Sequence, residues 1–218
     1  MRPMQTKVTY PPTKSLPEKF TPVWQFDIHS KKDLLVVNLL GFVIFILSWI
    51  GFAALAKVLR PEADSSSILF STNDFKKILL WFVTILLVTA IMVVVHEAFH
   101  GIFFWLFTRS RPKFAFKGFY AYAAAPDWYI PRWRYVLIGL APLGGITLLG
   151  IMGLAWLPAW MIVPSLWLLV LNTSGAVGDL WVVVALLFQR SSIYVKDSGD
   201  LIEFFGNSQL TPNDVPGV

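Results

Sequence analysis

The chain has 218 residues, 56% of them hydrophobic and only 14% charged, and its mean hydropathy is +0.63. Soluble domains carry about 25% charged residues, so this composition argues against an ordinary water-soluble domain, and against intrinsic disorder as well. The lack of cysteine excludes disulfides, Cys-ligated zinc, iron–sulfur clusters and thiol catalysis. The net charge of +5 comes with no nucleic-acid recognition motif, so no nucleic-acid partner is expected.

Residues 1–33 begin polar and proline-rich (MRPMQTKVTYPPTKSLPEKF). They read as a cytoplasmic segment. A signal peptide does not fit, because the first apolar run starts only at Leu34 and ends without a small-residue cleavage pattern. His29 in this segment reads as a solvated side chain. The first run, Leu34 to Ala56, carries no charge. A bilayer core about 30 Å thick needs roughly 20 apolar residues, so this run predicts a spanning helix. PEADSSS and STND follow as an outer loop, with Asp74 or Thr72 placed to cap the next helix.

The second run extends from Ile78 to Phe107 and is uncharged as far as Val95. It then reads His96-Glu97-Ala98-Phe99-His100-Gly101, which fits HExxH. On a helix the residues i and i+4 share a face. Both imidazoles can therefore reach one metal ion, with Glu97 one step round to activate a water. Zinc suits two imidazoles plus a carboxylate. A hydrogen-bonded polar cluster or a proton relay is the plainer alternative. The charge of Glu97 would cost about 2.5–3.5 kcal/mol in hydrocarbon by insertion scales, which favours a group with a task.

The connection over residues 108–134 is basic, and Lys113 to Tyr122 interleaves β-type and small residues. A short β-hairpin or re-entrant strand fits here. Its edge could hold an extended peptide by strand addition, or the loop could simply touch anionic lipid. The third run is Tyr135 to Leu157. Pro142 with Gly139, Gly144 and Gly145 predicts either a kink beside the site or close helix packing. Only Pro158 and Ala159 separate this run from the fourth, Trp160 to Phe188, so the two should form a tight antiparallel hairpin.

Asp179 is the sole acidic residue of the fourth run and the leading candidate for a third metal ligand. His96 lies 18 residues after Ile78, and Asp179 lies 19 after Trp160. At about 1.5 Å per residue both sit roughly 27–29 Å along helices that run the same way. Asp179 could instead pair with a basic residue or pass protons, and Glu203 and Asp127 are weaker rivals for the metal. Asn172 stands two turns before Asp179 on the same face. It could bind substrate or the transition-state oxyanion, or make an inter-helix hydrogen bond. Gly175 and Gly178 would allow the second helix to approach closely. The tail from Lys196 to Glu203 holds three acids without EF-hand spacing and reads as solvated.

The fold expected is an all-α polytopic membrane protein with about four transmembrane helices. Its parts are a cytoplasmic segment 1–33, a membrane domain 34–190 and a cytoplasmic tail 191–218. Fourteen basic residues fall in the N-terminal segment, the 108–134 loop and the C-terminal segment, against four on the other side. The positive-inside rule then places both termini in the cytoplasm. Trp128 and Trp133 sit near the inner boundary and Trp156 and Trp160 near the outer one, where indole rings settle.

His96, Glu97, His100, Asn172 and Asp179 together resemble the site-2 protease class of intramembrane zinc metalloproteases. That class has HExxH on one membrane helix and an Asn followed by a ligand Asp on a later one. The resemblance is closer to a small bacterial membrane family of zincin peptidases, which shares the HE-x-x-HG helix and the late Gly-Asp. It spans roughly residues 78 to 190. It implies Zn2+ held by His96, His100 and Asp179, a zinc-activated water, and Glu97 as general base. The implied substrate is a membrane protein or peptide cut near the cytoplasmic face. The proline that the larger class usually has after the Asn is missing here, and in place of its Asp-Gly pair the order is Gly178-Asp179-Leu180. A transporter-like protein that handles metal ions or protons with the same residues is the alternative, although no internal repeat supports it.

Overall fold

The computed structural model describes residues 11–61, 74–118, 120–189 and 193–207. Thr72 and most of the expected outer loop lie outside these residues. Strand β1 (Phe20–Asp27) leads into helix α1 (Lys31–Leu59), which is capped by the Ser30 hydroxyl accepting from the Asp33 amide. Helix α2 (Phe75–Thr108) is capped by Asp74, one of the two residues singled out for that place. With 34 residues it is about 51 Å long, longer than a bilayer core is thick. It stops where Arg109 turns to a left-handed conformation, φ 55°, which breaks the helical hydrogen-bond series.

A hairpin of β2 (Lys113–Phe116) and β3 (Ala121–Ala124) follows, in the register Lys113 to Ala124, as the interleaved sequence predicts. Then come β4 (Tyr129–Pro131) and α3 (Arg132–Trp156). One short 3-10 turn, Ala159–Met161, separates α3 from α4 (Ile162–Gly175). Gly150 of α3 lies against Leu169 of α4, and Gly153 against Ser165. Rising numbers on one helix meet falling numbers on the other, so the pair is the antiparallel hairpin expected.

The fourth run is not one straight helix. It breaks at Ala176 into α4 and α5 (Val177–Leu187), with a bend of 42°. The Thr173 and Ser174 hydroxyls donate back to the carbonyls of Leu169 and Val170. Such bonds weaken and bend helices, and Gly175 adds its poor helix propensity.

Strands β5 (Ile193–Asp197) and β6 (Leu201–Asn207) complete a four-stranded antiparallel sheet in the order β1-β6-β5-β4. The all-α expectation is therefore corrected: the fold is mostly helical with a small sheet. The solvated tail is corrected too. Val195 and Phe204 are fully buried, in one core with Phe104, Ile130, Ile138 and Leu186. Ile193, Tyr194 and Val195 are buried in succession, so β5 carries no period-2 signal, and the acids that follow it disguise the strand pair in sequence.

Three helices are long and apolar enough to cross a membrane, or four if the bent α4–α5 pair counts as one span. Phe42, Leu47 and Ile50 on α1 and Leu80 and Val94 on α2 are all more than 60% exposed. Water does not tolerate so continuous an apolar surface, whereas lipid does.

Candidate metal centre

His96 and His100 stand one turn apart on α2, with ring centroids 5.0 Å apart. The bend at Ala176 presents the first turn of α5 to them, and Asp179 sits in that turn. A carboxylate is favoured near a helix N-terminus. Its Oδ2 lies 3.1 Å from His96 Nε2 and its Oδ1 3.4 Å from His100 Nε2. The three ligand atoms fall within 4.8 Å of one another. Donors at 2.0–2.1 Å around a tetrahedral zinc lie about 3.3 Å apart, so the donor set fits that ion. Among the described residues this is the only such group of His, Asp and Glu. Asp127 is exposed and 4.0 Å from Lys113, Glu203 pairs in the sheet, and His29 is exposed; none of them reaches the cluster.

The outer nitrogens of both rings are occupied. His100 Nδ1 lies 3.0 Å from the carbonyl of Ile138 on α3. A carbonyl can only accept, so Nδ1 carries a proton and Nε2, facing Asp179, is the nitrogen left to ligate a metal. His96 Nδ1 lies 3.3 Å from Asn172 Oδ1. The Asn172 Nδ2 faces the carbonyls of Pro142 and Leu143, at 3.4 and 3.5 Å, which fixes the amide with its oxygen toward His96. Asn172 is wholly buried and does not line the cavity beside the cluster. Of the two readings of Asn172, the geometry favours the inter-helix hydrogen bond over contact with substrate or oxyanion.

Glu97 points into that cavity of about 210 Å3, which His96, His100 and Asp179 also line. The backbone amide of Ala123 in β3 faces its carboxyl group. Glu97 also borders a second space, an apolar groove of about 780 Å3 between α2 and the β2–β3 hairpin. Leu86, Ala90, Val93 and Val94 form its helix side and Phe114 and Phe116 its hairpin side. The carboxyl group of Glu97 thus stands where a polar chamber and an apolar groove meet.

Gly175 and Gly178 do not serve close helix approach. A methyl group at either would meet nothing within 4 Å, and both line the cavity. Tight contacts near the site are instead at Gly101, against the Phe114 ring, at Gly139, against Val183, and at Gly145, against the Phe99 ring.

Sequence reading missed two cavity residues, Tyr135 and Asp197. The Tyr135 hydroxyl donates to Asp197 Oδ2 at 2.6 Å, and the Gly199 amide donates to Oδ1 at 2.8 Å. Burial pushes the Asp197 carboxyl up from its ordinary range, while these two bonds oppose that rise. Beside it, the Asp200 carboxylate accepts from the Tyr120 hydroxyl at 2.8 Å and lies 3.7 Å from Lys117 Nζ. The β5–β6 turn is thereby tied to the β2–β3 hairpin across the mouth of the cavity. The one available signal was a short apolar stretch, Ile193 to Val195, running directly into the charged segment that holds Asp197.

No curated protein and no solved structure matches this chain. Residues 89–194, a little under half of the chain, match a family model described as "Putative zincin peptidase". That stretch contains His96, Glu97, His100, Asn172 and Asp179, so the segment that builds the cluster is the one in which the chain is similar to zincin peptidases.

Proposed function

We propose that the protein is a membrane-embedded zinc metalloendopeptidase of the site-2 type, cutting membrane protein or peptide substrates near the cytoplasmic face. One observation carries the reading: two imidazoles from α2 and a carboxylate from α5 converge at 3.1–3.4 Å, with Glu97 on the same cavity, beside the exposed apolar surface of α1 and α2. His96, His100 and Asp179 would hold the zinc. Bound there, zinc supplies Lewis-acid chemistry, polarising a carbonyl and making water nucleophilic near neutral pH.

The rest falls to the chain. Glu97 accepts the proton of the attacking water on its carboxylate and hands it to the leaving amine. The apolar groove along α2 receives the apolar flank of the substrate. The β2–β3 hairpin offers backbone groups to an extended peptide, a form that exposes the scissile bond. The sheet gathers β1, β4, β5 and β6 at one end of the helices. This supports four spans with both termini on one side, and the basic residues make that side the cytoplasm.

Two measurements test the proposal. Metal analysis of purified wild type should find about one zinc per chain, and Asp179→Ala should lose it. Glu97→Gln should keep the zinc but cut hydrolysis of single-span membrane peptides by about 10²–10⁴-fold. Wild type that folds yet holds no zinc would sink the reading. Full cleavage by Glu97→Gln would remove Glu97 as the base, and unimpaired metal transport by that variant would favour a transporter.

A further inference from the structure

Both imidazoles of the cluster are held from behind by the same short piece of α3. His100 Nδ1 donates to the Ile138 carbonyl. In a regular helix that carbonyl would accept from the N–H of residue 142, four positions on. Residue 142 is proline, inside the helix, and it has no N–H to give. The Ile138 carbonyl is thus left without its helical donor, and the imidazole supplies one. His96 is held through Asn172, whose amide nitrogen is anchored on the carbonyls of Pro142 itself and of Leu143. Ile138, Pro142 and Asn172 are all buried, so water does not compete for these bonds.

Proline inside a helix costs about 3 kcal/mol, and this one packs in the core beside the cluster. We infer that Pro142 is a positioning residue for the metal ligands: by leaving the Ile138 carbonyl without its helical donor, it fixes the His100 imidazole with Nδ1 protonated and Nε2 free to ligate, beside the backbone carbonyls that anchor Asn172 behind His96. The inference rests on the zinc-site reading above. It takes the inter-helix hydrogen bond of Asn172, one of the two readings the sequence left open, and gives that bond a task at the metal site.

The test is Pro142→Ala in the full-length detergent-purified protein. Alanine restores the N–H, which competes with His100 for the Ile138 carbonyl, and it favours helix. Zinc affinity, measured by competition with a chromophoric chelator, should fall roughly 10–100-fold, as for lost outer-shell partners elsewhere. The thermal midpoint of the zinc-free protein should stay level or rise. A merely structural proline would not give those opposite signs. In Asn172→Leu the Nδ1 proton of His96 loses its acceptor, so nitrogen NMR of the zinc-loaded protein should show the Nδ1 resonance of His96 alone moving to that of an N–H without a hydrogen bond, while His100 keeps its own. Wild-type zinc affinity in Pro142→Ala would overturn the inference, as would a parallel loss of affinity and zinc-free stability. If wild type binds no zinc, it is the metal site that fails, and that result is read before any variant is made.

Discussion

Asp197 is the residue whose position departs furthest from its sequence context. It sits in a charged stretch, Lys196-Asp-Ser-Gly-Asp, yet it is 6% exposed and accepts from Tyr135 and Gly199. A carboxyl raised on folding contributes stability that is complete below its unfolded value, about 3.9. That contribution is lost as pH climbs through the folded value. Measured on chelated protein, the thermal midpoint of wild type should therefore fall relative to Asp197→Asn as pH rises from 4. Parallel curves would refute this. Tyr135→Phe removes a donor from a buried carboxylate and should cost about 1–3 kcal/mol, read as a lower midpoint at neutral pH. At this scale the sequence is legible where chemistry has a fixed spacing. His96 and His100 come together because i and i+4 always do. The role of Asn172 is not legible, because an amide may face substrate or a neighbour, and only the carbonyls of α3 decide between them.

Elements were legible by length and apolarity. All four runs are helical, and the β2–β3 hairpin lies within the stretch marked for it. What composition hides is the bend at Ala176, which depends on hydroxyls bonding back to the preceding turn. Without that bend, Asp179 would continue the line of α4. Gly175 and Gly178 were misread for a related reason, while Gly139 and Gly145 do pack closely: a glycine that opens a cavity and one that admits a neighbour look alike in sequence. Gly139 is the informative case. A side chain there meets Val183, and the Asp179 carbonyl lies just beyond. Val183 is β-branched and stiff, so it cannot swing aside. Gly139→Val should destabilise the protein by about 1–3 kcal/mol and weaken zinc binding by pushing α5 away. An equilibrium titration showing unchanged affinity would mean that α3 and α5 yield together.

For the molecule as a whole, the sheet is what sequence reading lacked. Strands from before α1, between α2 and α3, and after α5 pair with one another. Such pairing is long-range, and no local pattern records which short strand will find which. The charge distribution groups the same three segments that the sheet joins, because that signal is additive over residues and needs no knowledge of pairing. Removing residues 193–218 should therefore not behave as trimming a tail. It takes away Val195 and Phe204 from the core and Asp197 from the cavity. The shortened protein should aggregate or unfold well below the wild-type midpoint, as size-exclusion chromatography in detergent would reveal. A monodisperse product with unaltered melting would contradict the observed core.

The pairing of β1 with β6 also sets an order of events during synthesis. Phe20 to Asp27 leave the ribosome early, but their partners, Leu201 to Asn207, are translated only after every apolar helix. β1 must wait without its partner strand while the helices insert. Neighbours so distant along the chain meet slowly. The roof over the histidine cluster is consequently the last part to be assembled, and nascent chains should hold an open cavity until translation has passed the final strand.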